Sequence, residues 1–392
     1  MDFSTYSKLF DGKEKPLAYV DMDLLDQNIA DILATTNNKN IRIGSKSIRS
    51  LPLIKYILTK HSRFNGVFCF TPSEAVFLSE NGVDNILIGY PTVNKLEIKR
   101  VIKQIKSGKE IIFMIDDIKQ VMLIEESGKA HNVHVPICID IDMSLRLPFI
   151  RFGVYRSSTS SIQQLEEALR TIKQLKNVKL IGMMGYEAQI AGIPDYSEKQ
   201  RLQSFLIRQL KKASLKKVKN LRKECLKTIH SNGFSLSFVN GGGTGSRHST
   251  SDEASITEVT IGAGFLQPSL FDGFSQTTLK PALGFILEVS RHPSKHVYTC
   301  LGGGYVGSGS TGNEKLPKIS HPLKAKYLSF EGAGEVQTPI FYKGNLQIGD
   351  DVFFRPSKSG ELCERFSTIY GVSDGNVTHT FNTYRGDGQC FL

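Results

Sequence analysis

The sequence predicts an α/β protein: a parallel (β/α)8 barrel of the TIM type joined to a second, mostly β C-terminal domain. Three observations carry this expectation. Short β-rich runs alternate with amphipathic helical stretches over the first two thirds of the chain, the pattern of a parallel sheet with helices outside. About eight such units can be counted, the number that closes a barrel; an open doubly wound sheet is the alternative. Beyond Pro281 the helical periodicity stops, and glycine clusters and alternating runs take over. At 392 residues the chain exceeds one small core. Two units are expected, a barrel over 15–275 and a β-rich domain over 276–392 that also receives residues 1–14.

Taken in order, Leu17-Ala18-Tyr19-Val20-Asp21 reads as a strand, followed by a helix over 24–33. Further strands are expected at 41–45, 66–70, 85–88, 111–115, 135–141, 179–183, 234–239 and 258–261. Between them, apolar residues recur at helical spacing over 73–81, 95–107, 117–127, 162–174 and 197–230. In the last third, 285–289, 351–354 and 366–370 alternate as antiparallel strands do.

Composition narrows the function classes. With 40% hydrophobic and 22% charged residues and no biased tract, the chain is a folded protein. Met1-Asp2-Phe3-Ser4-Thr5 lacks a basic segment before an apolar core, so no secretory signal is expected. No apolar run approaches the roughly 20 residues of a membrane span. Cys69, Cys138, Cys225, Cys300, Cys363 and Cys390 are scattered without CxxC pairs, as in a cytoplasmic protein with reduced thiols. The net charge of +11 is concentrated between Arg208 and Lys227. There Lys211, Lys212, Lys216, Lys217, Lys219, Arg222 and Lys223 share the run with helically spaced leucines, which reads as a surface helix with a solvated basic face. No aromatic residue interleaves it, so nucleic acid is not an expected partner.

The chemistry is expected at strand ends, where a parallel barrel gathers its catalytic groups. Lys46 follows the apolar run Ile41-Arg42-Ile43-Gly44 and can form an imine with an aldehyde. Arg42 and Arg49 flank it, and positive neighbours disfavour a protonated amine. Nearly two hundred residues later, Val239-Asn240-Gly241-Gly242-Gly243-Thr244-Gly245 runs a strand into a glycine loop able to wrap a phosphate, or simply to turn into a helix. It matches neither the dinucleotide nor the nucleotide-triphosphate glycine pattern. Gly262-Ala263-Gly264 ends the next strand, and two neighbouring turns suit one phosphate gripped from both sides. An imine-forming lysine and a phosphate cradle together point to pyridoxal phosphate. Asp140 and Asp142 share a strand face, either as metal ligands or, the reading preferred for Asp140, as a structural network with arginines. Arg151 is a candidate for the cofactor's phenolic oxygen, and Tyr186 either stacks on the ring or packs in the core. His379, the segment Tyr384-Arg385-Gly386-Asp387-Gly388, and Glu331, Glu335 and Gln337 either line the mouth of the site or serve only their own turns.

The runs KPLAYVDMDLLDQN, IRIGSKSIRS, GMMGYEAQ, VNGGGTGS and EVTIGAGF resemble the fold-type III pyridoxal phosphate enzymes, among them alanine racemase, D-threonine aldolase and D-serine dehydratase. The resemblance spans the barrel. It implies that Lys46 carries the Schiff base, that Arg151 lies near the ring oxygen and Tyr186 beside the ring, and that Gly243, Thr244, Gly262 and Gly264 hold the phosphate. PALGFILEV, CLGGGYVGSG and EGAGEVQTP resemble a subgroup described only as amino acid aldolase, deaminase or racemase-like.

Two departures bear on the reaction. Alanine racemases set an arginine against the pyridine nitrogen, and the matching strand end here carries Thr260. The aldolases and dehydratases hold a divalent metal with a His-x-Asp or His-x-Cys pair; the nearest equivalent here is Glu361-Leu362-Cys363, so a metal on Glu361 and Cys363 is a second possible cofactor. The resemblance implies a lyase acting on a β-hydroxy D-amino acid, with an amino acid racemase as the alternative, and a head-to-tail homodimer.

Overall fold

The computed structural model describes residues 3–198, 200–310 and 312–392; Met1 and Asp2, assigned above to the N-terminal segment, and Lys199, inside an expected helix, lie outside the described residues. Strand β1 (Leu17–Asp21) is followed by the helix Met22–Ala34, which Asp21 caps by accepting from the Leu24 amide at 2.9 Å. Eight parallel strands then close a barrel. Six come in sequence: β2 (Asn40–Gly44), β3 (Phe64–Cys69), β4 (Ile86–Ile88), β5 (Ile111–Ile115), β6 (Val135–Asp140) and, after a small hairpin of β7 (Leu145–Leu147) and β8 (Ile150–Phe152), β9 (Val178–Met184). β10 (Phe238–Gly241) and β11 (Glu258–Ile261) complete the ring, β11 pairing back to β2 with Thr260 opposite Arg42. Closure excludes the open sheet.

The barrel interior holds a small apolar cluster of Leu87, Ile112, Met114, Cys138, Ile181, Met184 and Phe238. Below it lies a buried ion pair: Arg42 donates to both Glu258 oxygens, at 2.8 and 3.0 Å, with its guanidinium 5.3 Å from the Phe238 ring. The larger core fills the space between the barrel and its helices, where aliphatic side chains at helical spacing meet the outward faces of the strands.

The last third forms a mostly antiparallel sheet from β12 (Leu283–Ser294), β13 (Val297–Leu301), β14 (Lys318–His321), β15 (Lys326–Tyr327), β16 (Gln337–Phe341), β17 (Asp351–Arg355), β18 (Thr368–Ser373) and β19 (Asn376–Asn382). β1, expected within the barrel, lies in this sheet instead, antiparallel to β12 and parallel to β18. All five of its residues are buried, so it carries none of the alternation that would distinguish a central sheet strand from a barrel strand. The helix expected over 197–230 runs as Arg201–Ser231. Its basic face is not wholly solvated: Arg222 and Lys211 are buried.

Candidate active site

A cleft of about 780 Å3 opens at the C-terminal ends of the barrel strands and is closed on its far side by the β-rich region. Lys46, Tyr186, Gly243, Thr244 and Gly262 all line it, so five of the expected residues are brought together from four strand ends. Lys46 sits on a 3-10 turn, Ser45–Ser47, directly after β2. Its Nζ donates to the Tyr90 hydroxyl at 3.3 Å. The two arginines near it in sequence do not act on its amine as free charges. Arg42 is paired with Glu258 inside the barrel, and Arg49 binds Glu364 at 3.0 Å while donating from Nε to the Lys46 carbonyl at 3.2 Å.

The glycine turns take up one side of the cleft. Gly243 N–H donates to Ser246 Oγ at 3.1 Å, and Gly242 N–H to Glu187 at 3.2 Å. Gly264, expected to hold phosphate, is not among the lining residues; its N–H donates to the Thr244 hydroxyl at 2.9 Å and so ties the two turns together. Gly262 and Ala263 line the cleft beside it. A side chain at Gly262 would come within 2.9 Å of Ser47 Oγ and 3.0 Å of the Gly44 carbonyl, so glycine there lets the phosphate turn and the lysine turn touch. Beneath the cradle, fully buried Arg222 binds Glu187, Glu253 (2.7 Å) and the Gly185 carbonyl, while Glu187 accepts from Ser246 and Thr250, each at 2.5 Å. Sequence reading had counted Arg222 with a solvated face; its recurrence among the helix's leucines hid a buried charge.

Arg156 lines the cleft, as do Arg49, Arg365 and Arg385, whereas Arg151, expected there, does not. Arg156 Nε donates to Asp140 at 2.6 Å and its Nη2 to the Gly89 carbonyl at 2.9 Å, which aims the guanidinium over Tyr90 and Tyr186. Arg151 is turned away by the β7–β8 hairpin and bonds Asp142 at 3.0 Å and the Val154 carbonyl at 2.9 Å. Asp140 and Asp142 therefore serve different arginines. Burial drives the Asp140 carboxyl up to about 6 despite the opposing Arg156 charge. For Asp142 burial is outweighed by hydrogen bonds from Ser144 and Arg146 and the charge of Arg151, which hold it below the usual carboxylate range. Tyr186 is partly buried, and desolvation, reinforced by the Glu187 charge, pushes its phenol up to about 12.

Tyr90 was missed by sequence reading, although the signal used for Tyr186, a tyrosine just past a strand end, applies equally to Gly89-Tyr90 after β4. Burial raises its phenol, but the Lys46 and Arg156 charges more than offset this and leave it below its ordinary value. Thr260 lines the cleft and donates to the Asn240 side chain at 3.1 Å, a neutral arrangement.

Glu361 and Cys363 do not form a ligand pair. They lie on a five-residue helix, Ser359–Cys363, where residues two apart point to different sides. Glu361 faces the cleft rim and accepts from Ser308 N–H and Oγ, both at 2.6 Å, and from Lys358 at 3.1 Å. Burial is outweighed by those hydrogen bonds, which hold the Glu361 carboxyl below the usual carboxylate range. Cys363 faces the core, where burial pushes its thiol up to about 12. Among the described residues no group of three or more His, Cys, Asp and Glu side chains is arranged for a metal. The donor set does not fit a divalent cation at this position.

The helix has another task. Ser359 Oγ donates to the Ser47 carbonyl at 2.7 Å, and a side chain on Gly360 would sit 1.8 Å from the Lys46 carbonyl oxygen. This helix is the seat on which the lysine turn rests. Of the remaining expected mouth residues, Arg385 lines the cleft, and Glu335 lines an adjoining cavity of about 570 Å3 with Arg365 and Arg385. Glu331 and Gln337 line neither, and His379 stacks on Phe381 in β19.

Comparison with known proteins agrees with this geometry. A D-threonine aldolase structure from Filomicrobium marinum superposes with a TM-score of 0.79 at 16% identity, over 97% of this chain and 96% of that one. A D-threo-3-hydroxyaspartate dehydratase from Delftia sp. HT23 does so with a TM-score of 0.75 at 16% identity, over 95% and 98%. At these identities the likeness is one of fold. A 3-hydroxy-D-aspartate aldolase from Paracoccus denitrificans (strain Pd 1222) is 22% identical over 375 residues, covering 93% of this chain and 90% of the relative. The family model for the N-terminal domain of alanine racemase matches residues 20–235, more than half of the chain. The chain belongs to the alanine racemase N-terminal domain family, within the fold-type III pyridoxal phosphate enzymes.

Proposed function

We propose that this protein is a pyridoxal phosphate-dependent lyase that cleaves β-hydroxy D-amino acids and works as a head-to-tail homodimer in the cytoplasm. The observation that carries the cofactor reading is the gathering, on one cleft, of a primary amine, two linked glycine turns, an arginine and a tyrosine. An aldehyde, a phenolic oxygen and a phosphate on one flat ring match that donor set. Lys46 would hold the aldehyde carbon, Arg156 the phenolic oxygen, Tyr186 the ring, and Gly243, Thr244, Gly262 and Ala263 the phosphate. When bound, the cofactor supplies an electron sink for the pair left on the substrate α-carbon.

The protein's residues do the rest. Lys46 is the base whose Nζ moves protons at the α-carbon. Arg222 and Glu187 hold the phosphate turn from below, and the 359–363 helix holds Lys46 at its station. The domains are taken as a barrel ending near 275 and a β-rich unit over 276–392 with the first strand. Unpaired cysteines throughout the described residues support a reducing compartment, and no described helix is long and apolar enough to cross a membrane.

The lyase reading draws on the aldolases and dehydratase that the chain resembles over 93–97% of its length. Borohydride reduction of the holoenzyme should label Lys46, and Lys46→Ala should lose the imine absorbance. With a panel of D-amino acids, an aldehyde with glycine, or a keto acid with ammonia, identifies the lyase. Clean interconversion of D- and L-alanine or serine would overturn it in favour of a racemase.

A further inference from the structure

We propose that Tyr90 is the proton partner of Lys46: its phenolate oxygen takes a proton from the protonated amine and so frees the nitrogen lone pair for attack on a carbonyl carbon. In this step a Lys46 N–H bond breaks, a Tyr90 O–H bond forms, and no other reactant is needed. The inference rests on the reading of Lys46 as the imine-forming residue and adds the group that activates it.

The geometry is specific. Tyr90 Oη lies 3.3 Å from Nζ, within reach of direct transfer. Tyr90 as a residue is 41% exposed and lines the cleft, so the proton it takes can pass on to water. Arg156 is locked by Asp140 at 2.6 Å and by the carbonyl of Gly89, the residue preceding Tyr90, which fixes its guanidinium 5.2 Å from the Tyr90 ring. Three groups thus face Tyr90 from separate elements: Lys46 from the 3-10 turn, Arg156 from the segment after β8, and Tyr186 from the end of β9. Two of them carry positive charge and favour a phenolate. Tyr186 is unsuited to the same task, because burial keeps it a neutral phenol well above neutral pH.

The test follows cofactor loading rather than turnover. Apoprotein is mixed with pyridoxal phosphate across a pH series, and Lys46 labelling after borohydride is timed for the native chain, Tyr90→Phe, and a chain with 3-fluorotyrosine at position 90. Tyr90→Phe should load more slowly at neutral pH by a factor on the order of 10², with its pH profile displaced upward. The fluorinated residue, a more acidic phenol, should shift the profile downward. A difference titration of native minus Tyr90→Phe apoprotein should reveal one phenol ionising below the ordinary tyrosine range. Equal rates and unshifted profiles in all three proteins would overturn the proposal, as would a Tyr90→Phe chain that merely binds more weakly with the native pH profile. A native protein that never labels Lys46 would instead overturn the cofactor reading.

Discussion

Glu74 lies fully buried beneath the Lys46 turn, accepting from the Tyr384 hydroxyl and the Phe70 amide, each at 2.8 Å. Burial lifts its carboxyl from 4.5 to about 7, against the pull of Ser45, the Phe70 amide, Tyr384 and the Arg49 charge. The native state therefore binds this proton more tightly than the unfolded chain. The stabilisation is complete below about pH 4.5 and is lost as the pH rises through about 7. Its full extent is on the order of 3 kcal/mol. Glu74→Gln should remove this slope, so that urea midpoints of native and variant proteins converge or cross between acid and neutral pH; parallel curves would contradict it. At this scale, the placement of Lys46, Tyr186, Gly243, Thr244 and Gly262 on the cleft was legible because each follows a barrel strand end, as a reactive or ring side chain or as part of a glycine turn. The choice between Arg151 and Arg156 was not, since five residues of spacing cannot say which one a hairpin turns outward. Asp140, a buried carboxylate on β6 in need of a cation, is the clue that points to Arg156.

At the scale of elements, the segment Ser359–Cys363 shows what spacing alone conceals. On an extended strand Glu361 and Cys363 would share a face; on a helical turn they diverge, one to the rim and one to the core. The turn packs its glycine against the Lys46 carbonyl, and the clash distance of 1.8 Å leaves no room for a methyl group. Gly360→Ala should therefore push the lysine turn off its seat, destabilising the fold by about 1–3 kcal/mol. It should also slow borohydride-trapped labelling of Lys46, whereas Glu361→Gln, which alters only the contacts with Ser308 and Lys358, should leave labelling near the native rate. Native-like labelling by Gly360→Ala would show that the seat does not position the lysine.

For the whole molecule, the regular βα alternation made the barrel readable, while β1 was misplaced because a fully buried strand looks the same in either sheet. That strand ties the start of the chain to the C-terminal sheet. What the chain leaves uncovered matters as much. Phe149 and Tyr155, in the segment after β6 on the cleft side of the barrel, are 99% and 89% exposed, and Phe330 in the β-rich region is 104% exposed. Large aromatic groups left in water on both units are surface that association would bury, at about 25 cal/mol for each Å2 of apolar area. If the β-rich unit of one protomer covers the barrel mouth of another, each contact is repeated by the two-fold axis, and one substitution removes two anchors. Light scattering at micromolar concentration should give a dimer. Phe149→Ser combined with Phe330→Ser should shift it toward monomer, with Lys46 still labelled by pyridoxal phosphate and borohydride but turnover reduced. A native chain that scatters as a monomer with full activity would rule the assembly out.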